Sequence, residues 1–164
     1  MSDANANTSL NIGDNLPAIS LPMTGGSDFN SQDYQDQILV IYFYPKDSTP
    51  GCTIEGNDFN HYLDAFHAAG CQIFGVSRDS MRKHDNFKSK ECFNFELISD
   101  ADESLCNLLD VIKLKKLYGK EYLDIDRSTF VFAQGKLVKE WRTVKVKGHV
   151  EEVLAFVQTL YPHR

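Results

Sequence analysis

The sequence predicts an α/β domain in which helices cover both faces of a mixed central sheet, a three-layer sandwich. The near-continuous apolar run at 38–44 indicates a strand that is buried on both faces. Strand-like and helix-like segments alternate after it, which favours parallel strands joined by helices. A hairpin pattern through Gln134 and Gly135 then adds antiparallel strands, so the sheet is predicted to be mixed.

The first part of the chain supplies a hairpin, the central strand and a helix. Residues 16–21 and the glycine turn at 25–26 predict a short strand or hairpin that leads into the strand at 38–44. A helix is predicted over 51–69 and is ended by Gly70. The apolar positions that recur at helical spacing in it are Phe59, Tyr62, Leu63 and Phe66.

The middle of the chain continues the alternation of strands and helices. Residues 72–77 predict a second parallel strand, 80–90 a charged and exposed helix, and 95–98 a further strand. Asp100 and Glu103 resemble a capping box at the start of the next helix. The apolar face predicted for that helix comprises Leu105, Leu108, Leu109 and Ile112.

The last third of the chain begins with a lysine-rich stretch and ends with a hairpin and a helix. The hairpin pairs 129–133 with 136–141, and apolar spacing predicts the final helix over 150–160. The lysine-rich stretch is interpreted as a solvated basic loop, although such a cluster can also steer an acidic reductase or an anionic thiol. Its lysines are Lys113, Lys115, Lys116 and Lys120.

Length and charge limit the classes of function. The 164 residues suit one domain, predicted over 10–164 after a disordered tail at 1–9. The net charge of -6 argues against nucleic acid or an anionic membrane as a partner. The tail lacks the pattern of a secretory signal and no apolar run is long enough to span a bilayer, so a cytoplasmic protein is predicted.

The cysteines and histidines show no pattern typical of a metal site. Four cysteines occur without a C-x-x-C pair, and in a reducing compartment they are expected to be thiols rather than structural disulfides. The five histidines are scattered without H-x-x-x-H or H-E-x-x-H spacing. No metal is therefore predicted, and all five histidines are interpreted as exposed or at the edge of the core.

Cys52 is the candidate reactive residue. It follows the strand at 38–44 and lies in the first turn of the helix predicted over 51–69. A helix N-terminus has unpaired N–H groups and partial positive charge, which favour a thiolate over a thiol. The hydroxyl of Thr49 can hydrogen-bond the thiolate or a polar substrate. This placement predicts a nucleophilic cysteine and leaves the substrate unnamed.

A family resemblance adds the substrate. Pro45, Thr49 and Cys52 form the pattern P-x-x-x-T-x-x-C, which resembles the active-site motif of the peroxiredoxins. The longer stretch F-Y-P-K-D-S-T-P-G-C-T at 43–53 is similar to the bacterioferritin-comigratory, or Q-type, subfamily. The segment D-R-S-T-F, which contains Arg127, resembles the arginine-bearing strand of that subfamily. The resemblance covers the chain from about residue 11 onward.

The resemblance implies a thioredoxin-like fold with an N-terminal hairpin extension, and reduction of hydrogen peroxide or organic hydroperoxides without a cofactor. It implies that Cys52 attacks the O–O bond and becomes a sulfenic acid. Arg127 would hold the thiolate and stabilise charge on the peroxide, Thr49 would orient the peroxide, and Pro45 would shield the site from water. It also implies a monomer and a reducing thiol partner, either thioredoxin or glutathione with glutaredoxin.

The chain departs from the subfamily in its second cysteine. Many members carry a resolving cysteine five residues after the first, where this chain has Asn57, and others carry it near the position of Lys88. Cys92 is the best remaining candidate, whereas Cys71 and Cys106 are expected to be buried in the core. Attack on the sulfenic acid by an external thiol is the other route, and both routes stay open.

Simpler interpretations exist for the neighbours of the cysteine. Thr49 can serve as an N-cap, and Arg127 can pair with Asp126 or Glu121 at the surface. Glu55 can support the site structurally, either at the helix dipole or against the arginine. The alternative function is a thiol-based redox sensor or a thioredoxin-like interaction module with little peroxidase turnover.

Overall fold

A computed structural model describes residues 9–160 of the chain. The predicted tail at 1–9 therefore lies outside the described residues, except for Ser9. None of the helices formed by the described residues is long and apolar enough to cross a membrane. In chain order the elements are β1 (Ser20–Pro22), β2 (Asp28–Asn30), β3 (Ile38–Phe43), α1 (Pro50–His61), α2 (Leu63–Ala68), β4 (Cys71–Ser77), α3 (Met81–Glu91), β5 (Glu96–Ser99), α4 (Ser104–Leu108), β6 (Ile112–Leu117), β7 (Lys120–Ile125), β8 (Ser128–Ala133), β9 (Lys136–Trp141) and α5 (His149–Leu160), with a 3-10 helix at Ser31–Tyr34.

The centre of the fold is a five-stranded sheet in the order β5-β4-β3-β8-β9. β3 runs parallel to β4, which runs parallel to β5. β3 runs antiparallel to β8, and β8 runs antiparallel to β9 through the predicted hairpin. The sheet is therefore mixed, as the sequence predicts. β1 and β2 form the predicted N-terminal hairpin as a separate two-stranded sheet.

The two faces of β3 contact two different cores. Val40 and Tyr42 pack toward α1, α2, α3 and α5, whereas Leu39, Ile41 and Phe43 pack toward α4 and the N-terminal segment. Successive side chains of a strand point to opposite faces, so the burial of all five requires cover on both sides. This arrangement confirms the predicted three-layer sandwich, and it places the end of β3 directly before α1.

The single helix predicted over 51–69 is wrong in one respect, because the chain leaves helical geometry at Tyr62. α1 ends at His61 and α2 begins at Leu63. The interruption is one residue long, and Leu63 and Phe66 remain buried in the same core as α1. Apolar spacing records which face is buried, so it could not reveal this break.

The region predicted as the end of a helix and a solvated basic loop is instead a β-hairpin. Ile112 lies in β6, which pairs with β7 in a two-stranded sheet of its own. The turn consists of Tyr118 and Gly119, with φ of 53° and 78°. Positive φ at both central residues is typical of a type I′ turn, which usually carries Asn or Gly rather than tyrosine. The turn therefore has a weak sequence signal.

The capping box predicted from Asp100 and Glu103 is also wrong. Glu103 is the N-cap of α4, has a left-handed φ of 66°, and directs its carboxylate to Arg78. The Asp100 carboxylate instead accepts hydrogen bonds from the N–H groups of Leu105 and Cys106, at 3.1 and 2.7 Å. A negative side chain from outside the helix thus occupies the N-terminus of α4.

Candidate active site

The N-terminus of α1 places Cys52 where the sequence predicts. Thr49 is the N-cap with an extended backbone, and Pro50 begins the helix with a φ already suited to it. Cys52 is then the third helical residue and is only 2% exposed. No described residue accepts a hydrogen bond from the N–H of Gly51 or Cys52. These two donors and the positive end of the helix dipole therefore remain available at the end of the helix that carries Cys52.

Arg127 contacts the sulfur from the loop between β7 and β8. Its Nη2 lies 3.5 Å from Cys52 Sγ. Gly51 makes this approach possible, since a Cβ there would lie 3.2 Å from the same Nη2. Arg127 therefore brings a fixed positive charge into direct contact with the sulfur. The alternative pairing of Arg127 with the surface carboxylates Asp126 or Glu121 does not occur.

Glu55 orients Arg127 from one turn further along α1. Its Oε1 accepts a hydrogen bond from Arg127 Nη1 at 2.7 Å, and its side chain is 0% exposed. Burial raises the pKa of Glu55 to about 7, although the guanidinium of Arg127 acts in the opposite direction. The structural-support role predicted for Glu55 is thus a charge-assisted hydrogen bond to the same guanidinium that contacts the sulfur.

Thr49 and Pro45 lie in the loop between β3 and α1. Thr49 occupies the predicted N-cap position, but its hydroxyl donates a hydrogen bond to Lys46 O at 2.8 Å and makes no capping bond to the helix. The Thr49 carbonyl accepts from Thr53 N–H at 2.9 Å and starts the helix. Pro45 follows β3 and is half-buried. The loop therefore carries both motif residues into the same end of the sheet as Cys52.

Two histidines contradict the prediction that all five are exposed or at the edge of the core. His84 on α3 is 0% exposed and contacts Asp47 and the Ile98 carbonyl. His149 is 5% exposed and contacts Thr129 Oγ1 at 2.8 Å, and burial lowers the pKa of His149 to about 4. The buried residues of α3 are His84 and Phe87, three positions apart, and that spacing was the missed signal.

The other three cysteines occupy different environments. All four cysteines are free thiols in the structure, as predicted. Cys71 and Cys106 are fully buried, and burial raises the pKa of both thiols. Cys92 is exposed at the C-cap of α3, with a left-handed φ of 59°. The predicted core positions of Cys71 and Cys106 are confirmed, and Cys92 is the accessible thiol.

Comparison with known proteins identifies the family of this chain. A model of the AhpC/TSA family matches residues 12–140. The chain is 54% identical to Peroxiredoxin Bcp of Xanthomonas campestris, over 85% of this chain and 91% of that protein. It is 46% identical to Peroxiredoxin Bcp of Bacillus subtilis, over 88% of this chain and 93% of that protein.

Solved structures show the same fold. Peroxiredoxin Q of Xanthomonas campestris superposes with a TM-score of 0.82 at 52% identity, covering 86% of this chain and 90% of that chain. A variant of PrxQ from Xylella fastidiosa superposes with a TM-score of 0.88 at 43% identity, covering 93% and 98%. Another structure of the Xanthomonas campestris protein concerns its alkyl peroxide reduction activity. The chain belongs to the AhpC/TSA family, as a peroxiredoxin of the Bcp type, and is a thiol-dependent peroxidase.

Proposed function

We propose that Cys52 is the peroxidatic residue and that it reduces hydrogen peroxide and organic hydroperoxides. The observation that carries this proposal is the 3.5 Å contact between Cys52 Sγ and Arg127 Nη2 at a helix N-terminus that no described side chain caps. Arg127 and the two free N–H groups together place positive charge around one sulfur. Neither Cys71 nor Cys106 has such surroundings.

The chemistry is a displacement at oxygen. The Cys52 thiolate attacks one peroxide oxygen, the S–O bond forms as the O–O bond breaks, and hydroxide or alkoxide leaves and takes a proton from solvent. The sulfur is oxidised to a sulfenic acid and the peroxide is reduced to water or an alcohol. Arg127 stabilises the negative charge as it moves from the sulfur to the leaving oxygen.

The remaining motif residues orient the peroxide. Thr49 donates its own hydroxyl proton to Lys46 O, so its free lone pairs accept a hydrogen bond from the O–H of the peroxide. The N–H groups of Gly51 and Cys52 donate to a peroxide oxygen. Pro45, half-buried in the same loop, shields the reacting atoms from water.

A thiol-dependent peroxidase also needs a reducing thiol, and we propose that it comes from outside the chain. Cys92 is held away from Cys52 by contacts between the end of α3 and α1. Asn60 bonds the Cys92 carbonyl at 3.3 Å, and the ring of Phe93 packs against Gly56 so closely that no Cβ fits there. These contacts must break before Cys92 can approach to disulfide distance, about 7 Å between Cα atoms.

The external route needs only one cysteine. A thiol attacks the Cys52 sulfenic acid, forms a mixed disulfide and releases water, and a second thiol then restores Cys52. Thioredoxin, or glutathione with glutaredoxin, supplies such thiols. We further propose a monomeric, cytoplasmic protein whose residues 10–164 form one domain. The net charge of -6 disfavours an anionic membrane as a partner, and the two buried clusters of the described residues cover the two faces of one five-stranded sheet.

Intact mass after treatment with one equivalent of hydrogen peroxide tests the proposal. The reduced protein is expected to gain oxygen, and Cys52→Ser is expected to gain none. Loss of two hydrogens, abolished by Cys92→Ser, would instead establish the internal route. An unchanged mass in the native protein would contradict the proposal, and oxidation without turnover in the presence of thioredoxin or glutathione with glutaredoxin would favour the sensor.

A further inference from the structure

A buried polar cluster anchors the loop that carries Thr49. We use the name Asp47 cluster for Tyr44, Asp47, Asp79 and His84. The Asp47 carboxylate accepts from the Tyr44 hydroxyl at 2.5 Å through Oδ1 and lies 2.7 Å from His84 Nδ1 through Oδ2. The side chains of Asp47 and His84 are 3% and 0% exposed. Burial of such groups is unfavourable unless each polar atom is paired, so the cluster has a strictly defined set of hydrogen bonds.

The contacts of His84 require one more proton than an ionised Asp47 and a neutral His84 would carry together. Its Nε2 lies 3.0 Å from Ile98 O, and a carbonyl oxygen only accepts, so Nε2 carries a hydrogen. In a neutral imidazole Nδ1 would then be an acceptor facing the carboxylate of Asp47. A contact of 2.7 Å between two acceptors is repulsive, so a proton lies between them. Asp47 and His84 therefore share it, as an ion pair or as two neutral groups.

The backbone of Asp47 connects this pair to Thr49. The peptide group between Lys46 and Asp47 is held on both sides: its N–H donates to Asp79 Oδ2 at 2.8 Å, and its carbonyl accepts from Thr49 Oγ1 at 2.8 Å. Between Asp47 and Thr49 the chain turns through Ser48, whose φ of 65° is unfavourable for a residue other than glycine. A strained turn persists only where its surroundings hold it, which the Asp47 cluster does.

A metal ion is a weaker explanation of the same residues. Asp47, Asp79 and His84 offer ligand atoms within 4.8 Å of one another. Asp79 Oδ2, however, already accepts from Asp47 N–H and from the Ser77 hydroxyl, the latter at 2.6 Å. His84 Nδ1 is likewise engaged by Asp47. The donors of the chain itself satisfy these atoms, so the cluster functions as a hydrogen-bonded support.

We propose that Asp47 and His84 are positioning residues for peroxide reduction, because the hydrogen bond between their side chains holds the loop at 45–49 so that Thr49 meets the peroxide. This inference rests on the role proposed above for Thr49. Asp47 and His84 act on the orientation of the peroxide, whereas Arg127 and the N-terminus of α1 stabilise the thiolate. Loss of the bond therefore slows reaction with peroxide and leaves the reaction of Cys52 with other electrophiles unchanged.

Two pairs of matched variants test the bond. His84→Asn keeps an N–H donor at the position of Nδ1, so it retains the bond to Asp47 and loses the bond to Ile98 O. His84→Gln keeps an N–H donor near the position of Nε2, so it retains the bond to Ile98 O and loses the bond to Asp47. Asp47→Asn supplies a permanent N–H to an unprotonated His84 Nδ1 while its carbonyl still accepts from Tyr44. Asp47→Ala supplies neither the donor to His84 nor the acceptor for Tyr44.

The measurement compares two rate constants in each reduced variant, one for oxidation by hydrogen peroxide and one for alkylation of Cys52 by iodoacetamide. His84→Gln and Asp47→Ala are expected to lower the oxidation rate constant about 10- to 100-fold, as a displaced orienting group does, with alkylation unchanged. Asp47→Asn and His84→Asn are expected to recover most of the oxidation rate.

The controls separate this inference from the proposed function. A native protein that peroxide does not oxidise would contradict the proposed function itself. Equal loss of oxidation in both members of each pair, or a parallel loss of alkylation, would show a merely structural role and overturn the inference. Thermal unfolding identifies any variant that does not fold, and the other pair then decides the question.

Discussion

Cys52 and Cys106 occupy the same position in two helices and have opposite surroundings. Each is the third residue of its helix, α1 or α4, and each is almost completely buried. At Cys106 the Asp100 carboxylate fills the helix N-terminus. Burial, followed by the negative charge of Asp100, raises the pKa of Cys106. At Cys52 no described side chain fills that site, and Arg127 supplies a positive charge.

The comparison shows that a helix N-terminus does not by itself make a cysteine reactive. The N–H groups and the dipole are available to a sulfur only where no carboxylate uses them first. The charged neighbour also differs, because an arginine donates to the sulfur of Cys52 whereas an aspartate accepts from the N–H of Cys106. Three changes to these surroundings and a fourth at the exposed Cys92 follow, taken from the largest expected effect to the smallest.

The largest effect is expected from removing the positive charge beside Cys52. Arg127→Met should slow oxidation by hydrogen peroxide at least about 100-fold, because it removes a charged donor to the reacting sulfur and oxygens. The measurement is the second-order rate constant of the reduced protein. A loss smaller than about threefold would show that the helix N-terminus alone activates Cys52.

Two controls accompany this variant. Arg78→Met removes an arginine that, like Arg127, is paired with carboxylates, here Glu103 and Asp124, but that does not contact the sulfur, so the oxidation rate should be retained. Arg127→Met combined with Glu55→Gln avoids a buried carboxylate without a partner. It should be as slow as the single variant and more stable.

The next effect concerns the pH dependence of stability at Glu55. Burial raises the pKa of this carboxyl from 4.5 to about 7, so between these pH values the folded protein binds a proton that the unfolded chain does not. Stability from this group therefore rises as the pH falls from about 7 to about 4.5. The free energy of unfolding of the native protein relative to Glu55→Gln should increase by up to about 3 kcal/mol over this window.

Urea unfolding at pH 5 and pH 8 measures this difference. His149 acts in the opposite direction, because burial lowers its pKa to about 4 and the unfolded chain gains the proton first as the pH falls. That contribution is common to the native protein and Glu55→Gln and cancels in the difference. A difference independent of pH would show that Glu55 remains ionised throughout.

A smaller effect is expected at the other helix. Asp100→Ala should lower the free energy of unfolding by about 1–2 kcal/mol, because the N–H groups of Leu105 and Cys106 lose their acceptor. The oxidation rate of Cys52 should be unchanged. Asp102→Ala is the matched control, since this exposed aspartate accepts only from Ser104 N–H at the same helix. Equal destabilisation by both variants would contradict the assigned role of Asp100.

The smallest effect is expected at Cys92, which ends α3 in a left-handed conformation. Cys92→Gly should raise the free energy of unfolding by about 0.5–1 kcal/mol, because glycine adopts this conformation without steric strain. Cys92→Ala removes the same thiol but keeps the Cβ, and should give no such gain. Urea unfolding of both variants separates the backbone effect from the loss of the thiol.

The sequence was most informative where a local pattern of residues specifies a single structure. The apolar strand at 38–44, the end of the helical region at Gly70 and the position of Cys52 are local patterns, and the structure confirms them. The β6–β7 hairpin was missed because its turn contains Tyr118 at positive φ. The capping of α4 was misread because Asp100 reaches two N–H groups from outside the helix rather than forming a capping box.

The partners of the site could be predicted only in part from the sequence, because they come from distant positions. Arg127 was found through its family motif, and its contact with Glu55, 72 positions away, was one of two alternatives that the sequence left open. Asp47 and His84 are 37 positions apart, and a lone histidine on a charged helix gives no sign of its partner. Such pairs depend on how the elements pack, which periodicity does not encode.

Site-resolved oxidation tests the central claim, that charge rather than exposure selects the reactive cysteine. The reduced native protein is treated with substoichiometric hydrogen peroxide, the remaining thiols are alkylated under denaturing conditions, and each cysteine is quantified by peptide mass. The account predicts oxidation at Cys52, which is 2% exposed, with Cys106 unmodified and Cys92 modified only as the partner of Cys52 in a disulfide. Oxidation that follows exposure, at Cys92 first with Cys52 intact, would contradict it.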